Sequence, residues 1–178
     1  MPLTEDVPYP ITDVQLSQRL ESTEAAANIA FVEARMRLDP SVGATHTRIA
    51  DVAAMYDGPE SPLTQTFGLG AYRTPSSAEF GMLEDFFSQR DAPVHHEVSP
   101  IGSPELIPRL VDRGYVPVEQ STVLVRPTSA PVVSNSHATV RLIGPGEESL
   151  WTRTAAEGWS TESAELAAFV EAFGPILT

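Results

Sequence analysis

The sequence predicts an α/β fold in which a mixed β-sheet is flanked by helices on both faces. Over residues 1–126, segments with helical periodicity alternate with short runs rich in β-branched and aromatic residues. The order is helix, two strands, helix, strand, helix, strand. After residues 127–137, which have the composition of a linker, the pattern restarts with one strand and two helices. We therefore predict a first domain at 1–126, a linker at 127–137 and an incomplete second unit at 138–178.

The first predicted helix runs from Thr12 to Leu38. Its apolar residues recur at spacings of three and four, which gives one buried stripe along the helix. Thr12 and Gln15 have the spacing of a capping box, in which each side chain satisfies a backbone donor of the first turn. Pro40 then ends the helix, because proline disfavours helical backbone in the residue before it.

Two strands and a second helix come next. The strands are predicted over "HTRIADVAAMYDG" and "LTQTFGLGAY", with the turn "DGPESP" between them. The helix after them begins with a capping box formed by Ser76 and Glu79. Its predicted buried face consists of Phe80, Leu83 and Phe87.

Three further elements complete the first domain. "APVHHEVSP" is predicted as a short strand, "SPELIPRLVDRG" as a short helix and "YVPVEQSTVLVR" as the closing strand. Pro108 delays or kinks the helix, and Gly114 ends it in a left-handed C-cap.

The second unit is predicted to contain a strand, "ATVRLI", and two helices, "GEESLWTRTAAEGW" and "ESAELAAFVEAF". The second of these helices is expected to end at Gly174 and Pro175. One strand and two helices cannot bury their apolar faces alone. The segment therefore either packs on the first domain or belongs to a second domain that has been cut short.

The composition restricts the class of partner and the compartment. There are 24 acidic residues against 11 basic ones, and the excess negative charge repels nucleic acid and anionic lipid surfaces. The chain has no cysteine, which excludes disulfides, a thiolate nucleophile and cysteine-ligated zinc. Because the N-terminus lacks the features of a signal peptide and no apolar run is long enough to cross a bilayer, we expect a soluble, cytoplasmic protein.

The stretch "QTFGLG", Gln65 to Gly70, matches Q/R-x-x-G-x-G/A, a pattern with which proteins hold the pyrophosphate of acyl-CoA. Such a cradle needs unpaired N–H groups at a helix N-terminus, with glycine allowing close approach. Here the glycines precede the predicted helix, so we expect them within or at the end of the strand, where they ease a bulge or close packing. Shifting the pattern to the helix start gives Arg73, Ser76 and Ala78 as candidate cofactor-binding residues.

The whole arrangement resembles the GNAT superfamily of N-acetyltransferases. In that resemblance "TQTFGLGAY" is the fourth strand, "SSAEFGMLEDFFSQR" the cofactor helix, "PVHHEVSP" the fifth strand and "PELIPRLVDRGY" the helix after it. Residues 138–174 resemble the opening strand and two helices of a second GNAT domain, as in a tandem protein. The resemblance implies acetyl-CoA as cofactor and a small-molecule amine as acceptor. It also implies direct attack of the amine on the thioester, with backbone N–H groups stabilising the oxyanion.

The segment "VHHEV" supplies the candidate catalytic residues. Strand alternation places His95 and Glu97 on one face and Val94, His96 and Val98 on the other, so the adjacent histidines do not share a metal. A histidine paired with a carboxylate can act as a general base. The resemblance implies a glutamate in that role at this place in the fold. The alternative is that both residues are hydrogen-bonded parts of the structure.

Two other positions follow from the resemblance. The family often has a tyrosine as general acid where this chain has Leu110, which cannot donate a proton, and Tyr115 is expected to pack in the core. Trp151, Trp159 and Glu162 fall on the helices that line the acceptor pocket in the family, so they are the candidate substrate-side residues. Burial of both tryptophans as packing residues is the alternative.

Three hypotheses about function follow. The first is a GNAT-family protein related to enzymes that acetylate amines, with the working cofactor site missing from this chain. The second is a non-catalytic GNAT-like module that acts as a scaffold, pairing with itself as a homo-oligomer or with a partner. The third is a small-molecule-binding or metal-binding protein that uses His95 and Glu97.

Overall fold

A computed structural model of the protein describes residues 12–128 and 139–178, which form two compact units divided between Val132 and Val133. Residues 129–137 of the predicted linker lie outside the described residues. The elements of the first unit are α1 (Val14–Leu38), a 3₁₀ turn (Pro40–Val42), β1 (Thr45–Ile49), β2 (Val52–Tyr56), β3 (Gln65–Phe67), α2 (Ser77–Ser88) and α3 (Leu106–Asp112). Those of the second unit are α4 (Glu148–Trp159) and α5 (Ala164–Leu177).

The described sheet has three antiparallel strands in the order β1-β2-β3. The prediction of one strand over "HTRIADVAAMYDG" was wrong, because this segment is a hairpin in which Ile49 pairs with Val52. Ala50, in the turn, has a φ of 54°. Few residues other than glycine and asparagine adopt this left-handed conformation, so the turn carried no recognisable sequence signal.

The second predicted strand, "LTQTFGLGAY", is shorter than expected, because β3 ends at Phe67. Beside it, Thr66 forms one parallel bridge with His96. The N–H of Thr66 donates to the carbonyl of His95 at 3.0 Å, and the N–H of Glu97 donates to the carbonyl of Thr66 at 3.0 Å. The sheet was predicted to be mixed, and in the described part of the chain this bridge is its single parallel pairing.

Helices cover both faces of the sheet, and the side chains of β2 alternate between two hydrophobic clusters. Ala53 and Met55 join the cluster beneath α1, which also contains Val32 and Phe67. We call this side the α1 face. Val52 and Ala54 join the opposite cluster, which we call the α2 face. Its main members from the helices are Phe80, Leu83, Phe86, Phe87, Leu106 and Leu110.

The helix ends follow local capping chemistry. α1 is capped by Asp13, whose side chain accepts the N–H of Leu16 at 2.8 Å, so the predicted capping box at Thr12 was wrong. The carboxylate of Asp13 is one residue closer to the helix and satisfies the N–H of Leu16, whereas a cap at Thr12 would have used the N–H of Gln15. The capping box of Ser76 and Glu79 at the start of α2 is confirmed, as is the left-handed Gly114 after α3, with a φ of 85°.

Two predicted strands are not formed in the described residues. Residues 115–126 and 139–143 have no strand pairing, and Val118, Leu124, Val140 and Leu142 are largely exposed. β-branched runs become strands only when they find pairing and packing partners, which residue type alone does not supply.

The predicted end of the last helix at Gly174 was also wrong, since α5 continues through Pro175 to Leu177. Pro175 has no N–H to donate to the carbonyl four residues before it, so the last turn of α5 forms without that hydrogen bond. Gly174 is buried against Thr152, and a Cβ atom at Gly174 would collide with that side chain. This glycine therefore allows α4 and α5 to approach each other closely.

Within residues 12–128 and 139–178, none of the helices combines the length and the apolar character that a bilayer crossing requires.

Candidate functional site

The segment that resembles a pyrophosphate loop lies at the end of β3 and is occupied by the chain itself. Gly68 has a φ of 79°, and its N–H donates to Glu21 Oε2 at 3.1 Å. The carbonyl of Gly70 accepts the N–H of Ser103 at 2.9 Å. A Cβ atom at Gly70 would collide with Leu106. Both glycines adopt left-handed backbone, and at Gly70 the close packing that the structural interpretation of "QTFGLG" predicted is present.

The start of α2 carries the three candidate cofactor-binding residues. Ser76 is the N-cap, and its hydroxyl accepts the N–H of Glu79 at 3.3 Å. The Glu79 carboxylate accepts the N–H of Ser76 at 2.7 Å. Ala78 is exposed in the first turn of α2, and its methyl side chain has no polar atom with which to bind a ligand.

Arg73 holds the same carboxylate. Its guanidinium donates to both oxygens of Glu79, at 2.9 and 2.5 Å, and also lies 3.7 Å from Asp51. The hydrogen bond from Arg73, followed by the one from the Ser76 backbone, lowers the pKa of Glu79 to about 2. A permanently ionised carboxylate therefore occupies the positive end of the α2 dipole, where an anion would otherwise bind.

His95 and Glu97 lie beside β3 on the strand-like segment that forms the parallel bridge. His95 is exposed, whereas Glu97 is half-buried on the α1 face next to Glu21 and Glu24. Burial, together with the negative charges of Glu24 and Glu21, raises the pKa of Glu97 to about 7. Its described partner is thus a cluster of glutamates rather than the imidazole of His95.

Glu21 belongs to the same cluster and has a pKa raised mainly by burial, with the hydrogen bond from Gly68 acting in the opposite direction. Glu21 and Glu24 were not among the candidate residues, because they lie more than 70 residues from Glu97 in the chain. The one sequence signal for this cluster was that Glu21 and Glu24 are three residues apart on a predicted helix, which places them on the same helix face. Among the described residues, no group of three or more His, Asp or Glu side chains is arranged to hold a metal ion.

On the α2 face, His96 is the ionisable residue at the bridge. Its Nδ1 lies 2.7 Å from Thr66 Oγ1, and its Nε2 is buried without a hydrogen-bond partner among the described residues. The ring packs against Tyr115 at 4.8 Å and edge-on against Phe80 at 6.4 Å between centroids. Burial lowers the pKa of His96 to about 4, so the imidazole is neutral at physiological pH.

Tyr115 connects His96 to an ion pair. Its hydroxyl donates to Glu84 Oε1 at 3.2 Å, and Arg113 donates to both oxygens of the same carboxylate. Burial raises the pKa of Tyr115 to about 12. Leu110, at the position where the resemblance places a tyrosine, is buried in the core. The described structure therefore gives Tyr115 a hydrogen-bonded packing role.

The substrate-side candidates lie in the second unit. Trp151 is half-buried, and it lines a groove together with Val140, Ile143 and Leu150. Trp159, at the end of α4, is 50% exposed, and Glu162 is exposed in the connection to α5. The alternative in which both tryptophans are fully buried packing residues is therefore wrong for Trp159.

No family model, curated protein or solved structure matches the chain.

Proposed function

We propose that this chain is a GNAT-like protein related to acetyl-CoA-dependent N-acetyltransferases, and that its first unit is a non-catalytic scaffold. The observation that carries the scaffold role is the Glu79 carboxylate at the N-terminus of α2, held there by Arg73 and by the N–H of Ser76. The order of elements around β3 and α2, with the parallel bridge to His96, supports the family proposal.

The first obstacle to a pyrophosphate at the start of α2 is electrostatic. A helix N-terminus attracts phosphate because its free N–H groups and the helix dipole both favour negative charge. At the start of α2, Glu79 already supplies that charge, and Arg73 is engaged with both of its oxygens. Because the pKa of Glu79 is about 2, the carboxylate stays ionised at neutral pH and repels a second anion.

The loop before α2 is a second, steric obstacle to the cofactor. The N–H of Gly68 is bound to Glu21, and the carbonyl of Gly70 is bound to Ser103. A Cβ atom at Gly102 would lie 2.7 Å from the Gly70 carbonyl oxygen, so these two backbone segments are in close contact. A cofactor chain would have to separate them and break the hydrogen bonds that join them.

Isothermal titration of the full chain with acetyl-CoA tests this proposal. We expect no detectable heat of binding from the wild type. Micromolar binding that is lost in Arg73→Gln and Ser76→Ala, and kept in the matched control Arg109→Gln, would contradict the scaffold role. Arg109 is suitable as the control because it is an exposed arginine on α3 whose ion pair, with Glu105, lies within that helical segment.

A second candidate function is favoured by one observation, the pKa of Glu97 near 7. A carboxylate with this pKa is suited to take a proton from an ammonium group, which N-acetyl transfer to an amine requires. His95, which is exposed two residues before Glu97, would contact the acceptor. On this hypothesis, acetyl transfer to a small amine falls when Glu97 is changed to Gln and rises in the wild type through about pH 7. Absence of turnover in the wild type would exclude it.

A further inference from the structure

A cavity of about 290 Å³ lies on the α1 face, where the β1–β2 turn meets the end of β3. Its apolar floor consists of Ala25 and Phe67, both buried, and the exposed ring of Tyr72 forms one wall. None of the candidate catalytic or cofactor-binding residues lines it. The cavity adjoins the candidate sites through Asp51, near Arg73, and through Glu21, near Glu97, but does not contain their candidate residues.

Groups of opposite charge line the same cavity. Glu21 contributes a carboxylate, of which Oε2 accepts the N–H of Gly68, while Oε1 has no hydrogen-bond partner in the described part of the chain. Arg48 contributes an exposed guanidinium, and none of the salt bridges of the described residues involves it. One cavity therefore offers an acceptor for a cation and a donor for an anion.

Two further lining residues, Asp51 and Tyr72, favour the binding of a cation in this cavity. Asp51 lines the cavity and lies 3.7 Å from Arg73, which compensates part of its charge. Tyr72, with 55% of its surface exposed, presents an aromatic ring, and ammonium groups bind favourably over such rings. An apolar floor with a few convergent polar groups is the usual construction of a small-molecule site.

We propose that this cavity binds a free amino acid with an aliphatic side chain. The ammonium group pairs with Glu21 and faces Tyr72, the carboxylate pairs with Arg48, and the side chain rests on Ala25 and Phe67. The volume of about 290 Å³ suits a ligand of this size and is small for a nucleotide. The net charge of −13 disfavours ligands that carry only negative charge.

The state of Glu21 supports this assignment. Burial and the neighbouring Glu24 raise the pKa of Glu21, so its ionised form lacks a compensating charge. A bound ammonium group would provide that charge and favour the ionised form. Binding should therefore release protons in the pH range where Glu21 titrates.

The experiment uses the full chain and L-leucine as the probe, with isothermal titration and thermal denaturation as readouts. Isoamylamine and isovalerate carry the same hydrocarbon with only the ammonium or only the carboxylate group. We expect leucine to bind and to raise the melting temperature, and each analogue to bind at least about tenfold more weakly. Glu21→Gln and Arg48→Gln should each weaken leucine binding by about tenfold or more.

Glutamine at position 21 can still accept the N–H of Gly68, so this variant should keep the local fold. The matched controls Glu60→Gln and Arg37→Gln alter exposed residues of the same unit that do not line the cavity, and they should bind leucine like the wild type. The proposal is overturned if leucine does not bind at millimolar concentration, if neither cavity variant weakens it, or if isoamylamine binds equally well. These outcomes do not depend on whether the chain binds acetyl-CoA.

Discussion

The two faces of the sheet in the first unit bury ionisable groups of opposite kind at neighbouring positions. Glu97 lies on the α1 face with Glu21 and Glu24, whereas His96 lies on the α2 face among aromatic side chains. Burial favours the neutral form of both, because transfer of a charge out of water is costly. The pKa of Glu97 is thus raised to about 7, while that of His96 is lowered to about 4.

The same physical cause, burial, therefore gives the two residues opposite pH dependences. Protonation makes Glu97 neutral and makes His96 charged. Acid therefore relieves the cost of burying Glu97 and creates a cost of burying His96. In the pH range between their ordinary and shifted pKa values, the two contributions to the free energy of unfolding oppose each other.

The largest expected effect tests the apolar packing of the α2 face. Leu83→Ala should lower the free energy of unfolding by about 4 kcal/mol, because it removes a large side chain from a closely packed site. Leu83 is fully buried, whereas its neighbour Met82 on the same helix is 56% exposed. Met82→Ala should change stability by less than about 0.5 kcal/mol. Urea denaturation of both variants at neutral pH checks this, and equal effects would contradict the described packing.

The second prediction concerns His96. Its folded pKa of about 4 is below the ordinary 6.5, so its contribution to stability is present above pH 6.5 and is lost as the pH falls toward 4. The groups that act on it are Glu84, His95 and Arg113. His96→Phe should remove this acid loss, which amounts to roughly 2 to 3 kcal/mol. The measurement is the free energy of unfolding from urea titrations across that range.

A matched change at the exposed neighbouring histidine controls for the loss of any imidazole. His95→Gln should alter the acid loss much less than His96→Phe does, because burial is the largest cause of the lowered pKa of His96 and the charge of His95 is a smaller one. If His96→Phe and His95→Gln gave the same pH profile, the described burial of His96 would be wrong.

The third and smallest effect concerns Glu97. Its folded pKa of about 7 exceeds the ordinary 4.5, so its contribution to stability is fully present below pH 4.5 and is lost as the pH rises through 7. Glu97→Gln should remove a change of about 1 to 2 kcal/mol, reduced from the full linkage value because the carboxyl is partly exposed. Glu60→Gln, on an exposed residue, is the control and should follow the wild type.

Local signals predicted the parts of the fold that depend on local chemistry. The end of α1 before Pro40, the capping box at Ser76 and the left-handed Gly114 each depend on interactions within a few residues. The hairpin at Ala50 was missed, because its turn lacks the residues that normally mark a left-handed conformation. Residues 115–126 have β-branched composition but lack pairing in the described structure, which a local pattern does not determine.

The candidate site was predictable only in part for a related reason. Strand alternation correctly separated His96 from the face of Glu97, since Val94 and Val98 pack with the α2-face cluster. The hydrogen bonds around His96 join residues that are distant in the chain. Thr66, which bonds His96, is 30 residues from it, and Tyr115, which packs on His96, is 31 residues from its own partner Glu84. Glu79 also acts against the anion site because of its contact with Arg73, a geometry that the capping-box pattern alone does not specify.

The opposition of the two faces is tested most directly by one set of urea titrations on the wild type, His96→Phe and Glu97→Gln between about pH 4.5 and 7. The quantity to compare is the free energy of unfolding of each variant minus that of the wild type. As the pH is lowered, this difference should rise for His96→Phe and fall for Glu97→Gln. Differences that are flat for both variants, or that change in the same direction, would contradict the account.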